Sequence, residues 1–168
     1  MLHPLFYFIT MSSKQKNLSN YSEKNIGDLK DKKFAIVVSE WNIEVTETLY
    51  SGAFQTLFDH GVKKENIIRK DVPGSFELSL GAQWMAEKKS IDAVICLGCV
   101  IQGETRHFDF ICNAVANGIT EVSLKYNKPI IFGVLTPNNQ QQAIDRAGGK
   151  YGNKGDEAAI TAIKMLGF

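Results

Sequence analysis

The stretch from Asp92 to Ile101, "DAVICLGCVI", is apolar or small at every position after its opening aspartate. A strand with one face in water alternates apolar and polar residues, whereas a strand covered on both faces runs apolar nearly throughout. Three other short apolar runs lie along the chain: "KFAIVVS" at 33–39, "NIIRKDV" at 66–72 and "PIIFGVL" at 129–135. Between these runs lie longer segments of helical period. Val45, Leu49, Ala53, Phe54, Leu57 and Phe58 recur at three-to-four spacing and predict a helix over 43–60, stopped by Gly61. Further helices are predicted over 77–88, 108–126, 138–147 and 154–166. This alternation predicts an α/β fold: a three-layer sandwich with a four-stranded parallel sheet and helices on both faces.

A chain of 168 residues with 44% hydrophobic composition holds one sizeable core and is too short to argue for two. A single domain is expected over 26–168, preceded by a polar, flexible extension over 1–25 that includes "SSKQKNLSNYSEKN". The opening "MLHPLFYFIT" lacks the basic leader and small-residue cleavage site of a signal peptide, and Met11 offers an alternative start. Nineteen Lys and Arg against eighteen Asp and Glu give a net charge of +1, which argues against a nucleic-acid groove or a polybasic membrane anchor. No apolar run approaches the roughly 20 residues of a membrane helix. The three cysteines, Cys96, Cys99 and Cys112, are too few and odd in number for a disulfide framework, which points to a reducing, cytoplasmic compartment. Cys96 and Cys99 spell C-x-x-C, yet residues three apart on a strand face opposite ways, so packing rather than metal binding is expected.

In an open parallel sheet, ligands collect beyond the carboxyl ends of the strands, where side chains and helix N-termini converge. The segments following the four strands are "SEWN", "VPGSFE", "GCVIQGETRHF" and "GVLTPNN". His107 stands just before a predicted helix, and an imidazole donates or accepts protons near neutral pH. The plain alternative is a solvated or capping histidine, which fits His60 at "DHG" better. Gly103, Thr105 and the nearby N–H groups suit an anion such as phosphate, although simple N-capping by Thr105 accounts for them equally well. Phe76 offers a ring for stacking and Glu77 a carboxylate for hydroxyl groups; a core phenylalanine and a first-turn acid explain them as readily. Trp41 and Asn42 add a second aromatic wall and a polar hook. "DRAGGKYGNKG" at 145–155 joins Arg146 and Lys154 to four glycines but matches no phosphate-loop signature, and its spacing also suits a helix cap and turn.

Taken in order, "LYSGA" (49–53), "VPGSFE" (72–77), "LGCVIQGETRHFDF" (97–110), "IIFGVLT" (130–136) and "DRAGGKYGNKG" resemble the lumazine synthase family over about residues 34–166. The resemblance implies a flavodoxin-like fold. It implies condensation of 5-amino-6-(ribitylamino)uracil with 3,4-dihydroxy-2-butanone 4-phosphate, without metal or organic cofactor. It implies that Glu104 and Thr105 hold the phosphate, that His107 transfers protons, and that Arg146 reaches the phosphate from a neighbouring subunit. Trp41 and Phe132 become walls for the planar ring and Glu77 an acceptor for the ribityl chain. Ser75, Phe76, Cys99, Val100 and Ile101 complete the pocket, with Asn42 contacting the ribityl chain and Lys154 the ring. Relatives form pentamers with the active site between subunits, and some build a sixty-subunit icosahedral shell. The short 146–155 loop favours the shell, and riboflavin synthase is a candidate partner.

Three positions depart from the usual pattern. Gln102 stands where many relatives carry Lys or Arg, so a weaker positive field is expected near the phosphate, partly restored by Arg106. Cys99 replaces a commoner small residue or threonine, and Trp41 a commoner phenylalanine. Three rival readings stay open at this level: the related archaeal-type riboflavin synthase, an idle flavin-binding module, and a phosphate-binding regulator on the same fold.

Overall fold

In the computed structural model, which describes residues 27–168, the first apolar run forms strand β1 (Phe34–Ser39), with all six residues buried. The decisive stretch forms β3 (Ala93–Cys99), buried throughout. Strands β2 (Ile67–Val72) and β4 (Ile130–Leu135) complete a sheet of order β2-β1-β3-β4, with every neighbouring pair parallel. Parallel neighbours need crossover connections, and helices provide them. The crossovers are α1 (Ile43–Asp59), α2 (Leu78–Ala86) and α3 (His107–Tyr126), and α4 (Gln140–Arg146) and α5 (Lys154–Leu166) follow β4.

The sheet divides two cores by strand alternation. Phe34, Ile36, Val38, Ile95, Leu97 and Cys99 face Val45, Leu49, Ala53 and Leu57 of α1 and Ala159, Ile160 and Ile163 of α5. Ala35, Val37, Val94 and Cys96 face Leu78, Ala82 and Met85 of α2 and Val115, Ile119 and Val122 of α3. Cys96 and Cys99 thus lie in different cores, as strand geometry requires. The three-layer sandwich is as expected from the sequence.

Element ends differ from expectation where polar groups intervene. The helix predicted over 77–88 is preceded by a separate 3-10 turn over Ser75–Glu77, in which the Glu77 N–H donates to the Gly74 carbonyl. That tighter turn delays α2 to Leu78. The helix predicted over 138–147 starts at Gln140, because the Asn139 side chain accepts the Gln142 N–H and caps it. After α4 the glycines form a small antiparallel ribbon, β5 (Ala147–Gly149) with β6 (Gly152–Asn153), where a cap and turn were the plain expectation. Gly148 and Gly152 take φ of 97° and 79° there, a region closed to most side chains. The division expected at residue 25 lies outside the described residues. Among the described residues no helix is long and apolar enough to cross a membrane.

Helix α5 begins hard against α1. A Cβ on Gly155 would overlap the Leu49 backbone carbonyl, and one on Gly52 would overlap the side chains of Asn153 and Asp156. Asn153 fixes the same junction by donating to the Thr48 carbonyl and accepting from the Gly155 N–H. Backbone cannot step aside as a side chain can, so Gly155→Ala is expected to lower unfolding free energy by ~1–3 kcal/mol or more. A urea midpoint equal to the parent's would show that the two helices separate without cost.

Candidate active site

Backbone bonds lace the carboxyl edge of the sheet. The Glu40 and Trp41 N–H groups donate to the Val72 and Pro73 carbonyls at 2.8 and 3.1 Å, tying the exit of β1 to that of β2. The Val100 and Gln102 N–H groups donate to the Leu135 and Pro137 carbonyls, which extends the β3–β4 ladder beyond both strands. Asn42 joins β1 to β3: its Nδ2 donates to the Cys99 carbonyl at 2.8 Å from a left-handed backbone, φ 61°. Asparagine is among the few residues that take this conformation readily.

On this frame Trp41 and Phe76 stand in solvent, 73% and 56% exposed. Glu77 folds its carboxylate back towards Gly74, with Oε2 3.1 Å from where a Cβ on that glycine would sit. Ser75 turns its hydroxyl the other way, into the sheet. Its Oγ and that of Ser39 are buried without hydrogen-bond partners, 2.6 and 3.2 Å from the position a Cβ on Gly98 would take. Cys99 buries its thiol in the α1–α5 core and spends its carbonyl on Asn42, so the side chain is withdrawn from any ligand. Val100 and Ile101 continue along the same edge, half-buried.

The segment from Gln102 to His107 is exposed and opens α3. The N-cap residue, Arg106, makes no side-chain capping bond; the Thr105 hydroxyl accepts the His107 N–H at 3.4 Å, a long contact. A 20-residue helix therefore presents N–H groups beside the Thr105 hydroxyl and the His107 imidazole, where the helix field favours negative charge. Arg106 stands over the Phe110 ring at 5.7 Å.

Phe132, Arg146 and Lys154 form a second group. Phe132 pairs with Cys96, three residues short of the Leu135–Cys99 pair at the carboxyl edge, so at ~3.3 Å per residue it lies roughly 10 Å below that edge. With Lys154, Ala158, Thr161 and Met165 it lines a groove of about 400 Å³ along the free flank of β4. Arg146 donates from Nη1 to the Tyr151 carbonyl at 2.6 Å and from Nη2 to Glu157. Lys154 Nζ donates to the same Glu157 at 3.1 Å. The structure thus gathers Trp41, Asn42, Ser75, Phe76, Glu77, Cys99, Val100, Ile101, Glu104, Thr105 and His107 at one end of the sheet. It gathers Phe132 and Lys154, with Arg146 linked through Glu157, on its flank. Glu157 escaped the sequence reading; its spacing three residues after Lys154, on a helical face, was the available signal.

Comparison with known proteins gives one family. Residues 31–168 match the family model described as 6,7-dimethyl-8-ribityllumazine synthase. A protein of that name from Cytophaga hutchinsonii is 71% identical over 93% of this chain and 98% of its own length. Those from Parabacteroides distasonis and Flavobacterium johnsoniae are each 56% identical, over 94% and 92% of this chain and 99% and 82% of their own lengths.

Burial pushes the Cys96 and Cys99 thiols up to about 12. The thiolate is the reactive form, so both are expected to stay unmodified by iodoacetamide at pH 8 in the folded protein and to react once it is denatured. Peptide mass spectrometry reads this directly, and fast native labelling of Cys99 would place its sulfur at the surface.

Proposed function

The chain belongs to the 6,7-dimethyl-8-ribityllumazine synthase family, and from that premise we propose where its reaction takes place: in a composite site completed by two neighbouring subunits. The enzyme condenses 5-amino-6-(ribitylamino)uracil with 3,4-dihydroxy-2-butanone 4-phosphate, releasing one phosphate and two waters. The observation that carries the proposal is the division of the site residues into two groups on different sides of one subunit. One subunit supplies the edge group, with His107, Thr105, Glu104, Phe76, Glu77, Trp41 and Asn42. Its neighbour supplies the flank group, with Phe132, Arg146 and Lys154.

The chemistry assigns the parts. The ring amine attacks the ketone, and loss of the first water leaves an imine. A proton leaves the adjacent carbon, phosphate departs, and the resulting enol becomes a ketone. The ribityl-bearing nitrogen closes the second ring on that ketone, and the second water is lost. Each step moves a proton at or beside the butanone carbons, next to the bound phosphate. His107, at the mouth of α3, is placed to carry those protons, a role that typically contributes ~10²–10⁴-fold. Thr105, the N–H groups at the start of α3 and the neighbour's Arg146 hold the phosphate, with Glu104 on the same loop. Trp41 and the neighbour's Phe132 bracket the planar ring, the neighbour's Lys154 contacts it, and Glu77 and Asn42 meet the ribityl hydroxyls. Ser75, Phe76, Cys99, Val100 and Ile101 wall the edge half, Cys99 through its backbone. Holding both substrates in one orientation supplies the larger gain, up to ~7–11 kcal/mol for well-aligned groups.

Head-to-tail pairing of two different surfaces closes into a ring, and a pentamer in the cytoplasm is the proposed working unit. The short hairpin of β5 and β6 favours further assembly of pentamers into an icosahedral shell, and the product makes riboflavin synthase the natural partner.

Two measurements test the proposal. His107→Ala is expected to slow product formation by ~10²-fold or more without abolishing it, because binding and orientation persist. Co-assembly of His107→Ala with Arg146→Ala subunits is expected to restore activity, since roughly a quarter of composite sites in a mixed ring recover both residues. Mixed assemblies no more active than either parent would place both residues in one subunit's site.

A further inference from the structure

Arg106 is the only Lys or Arg between Gln102 and Phe110, the segment that opens α3. Two carboxylates share that segment, Glu104 on the loop and Asp109 in the first turn. A phosphate monoester brings a further charge of about −1.5 to −2 at neutral pH. The Thr105 hydroxyl and the N–H groups of the helix start are neutral donors. Without Arg106 the loop would meet that anion with an excess of negative charge. The Arg106 side chain is exposed, makes no capping bond and forms no ion pair among the described residues. Its guanidinium carbon stands 5.7 Å from the centre of the Phe110 ring. Side chains on a helix lean towards its N-terminus, so a ring four residues on covers the first turn and keeps the guanidinium beside the helix start. Stacking uses the flat face of a guanidinium. Its five N–H donors lie in the plane, open to the paired oxygens of a phosphate.

We propose that Arg106 is a second cation of the phosphate site, supplied by the same subunit as His107 and specific for the butanone phosphate. The inference deepens the composite-site reading above and rests on it. The neighbour's Arg146 is pinned by the Tyr151 carbonyl and acts as a fixed charge. Arg106 leans on an exposed ring and adjusts to the anion, so the phosphate lies between one rigid and one mobile guanidinium, one from each subunit. Phe110 is the platform that keeps the mobile one from straying into solvent.

The test is Arg106→Gln in the assembled enzyme, with KM measured for both substrates and inhibition measured with inorganic phosphate. Arg146→Ala and Thr105→Val are measured beside it. KM for butanone phosphate and the inhibition constant of inorganic phosphate are expected to rise together by about five- to ten-fold, the loss of one solvent-exposed charge-assisted contact. KM for the aminouracil is expected to stay unchanged, and kcat to fall by less than these constants rise. Arg106→Lys keeps the charge and loses the planar fork, so an intermediate rise is expected. At ~1 M salt, where screening shortens to ~3 Å, the gap between Arg106→Gln and the parent is expected to narrow. Unchanged phosphate constants in Arg106→Gln, while Arg146→Ala and Thr105→Val raise theirs, would overturn the role of Arg106 and leave the composite site standing. An equal rise in KM for both substrates would overturn its specificity for the phosphate. Phosphate constants unmoved in Arg146→Ala and Thr105→Val as well would overturn the underlying reading and this inference with it.

Discussion

The parallel ladder between β1 and β3 is buried on both faces, and the remaining elements answer to that condition. Six consecutive buried residues in one strand and seven in the next leave no face for water, so helices must cover both sides. Parallel pairing also brings every strand out at the same edge, and each returns through a helix. The chain therefore has four loops at the carboxyl edge, whatever their sequence. What their sequence adds is lacing: Trp41 to Pro73, Asn42 to Cys99, Val100 to Leu135 and Gln102 to Pro137. These bonds fix loops that carry few buried side chains of their own.

Legibility in the sequence followed the strength of periodic signals. The apolar run at 92–101 and the spacing of Val45, Leu49, Ala53 and Leu57 were strong enough to give the layers and strands, because burial imposes period on sequence. Ends were less legible, since they depend on single polar bonds such as Asn139 to the Gln142 N–H, which compete with propensity locally. The edge half of the candidate site was readable because its residues lie in contiguous motifs after strands. In the flank half, Arg146 and Lys154 stood out as cations in a glycine-rich loop, whereas Phe132 was readable only by resemblance: it lies within a strand, and nothing in its spacing tells a core ring from one lining a groove. Glu157 was hidden for a related reason. A glutamate in the first turn of a helix already has a sufficient explanation in the helix field, and only coordinates show it meeting Arg146 as well as the nearby Lys154.

The two halves differ in how they are held. At the edge, backbone bonds position exposed side chains, and Trp41 and Phe76 keep most of their surface in water. An aromatic side chain buries ~150–250 Å² when covered, so these rings retain much of that driving force for whatever stacks on them. On the flank, side chains position side chains, through a buried carboxylate and two cations. A scaffold of the first kind tolerates changes in ring size, because the support lies beneath the ring and not around it. That tolerance agrees with the presence of Trp41, the larger of the two aromatic types, over a loop secured at Asn42.

Capping and charge together set the start of α3 apart from the other helix starts. The α4 and α5 N-termini are closed by Asn139 and Asn153, whose side chains take N–H donors for themselves. Helix α5 also carries Asp156 and Glu157 in its first turn. Helix α2 has Glu77 as its N-cap residue, and α1 has Glu44 in its first turn with Glu40 just before it, so both entrances already carry negative charge. Helix α3 has Arg106 as its N-cap residue, no capping side-chain bond from it, and Thr105 only at the long distance of 3.4 Å. Asp109 offsets part of the positive field in that first turn. An oxyanion at this helix start would take N–H bonds directly at ~2.7–2.9 Å, whereas the exposed Asp109 carboxylate acts through water that screens it. The residue that could close this helix start most cheaply is a capping Asn or Asp in place of Arg106, and the chain instead carries a cation there, which leaves the start of α3 open to an anion.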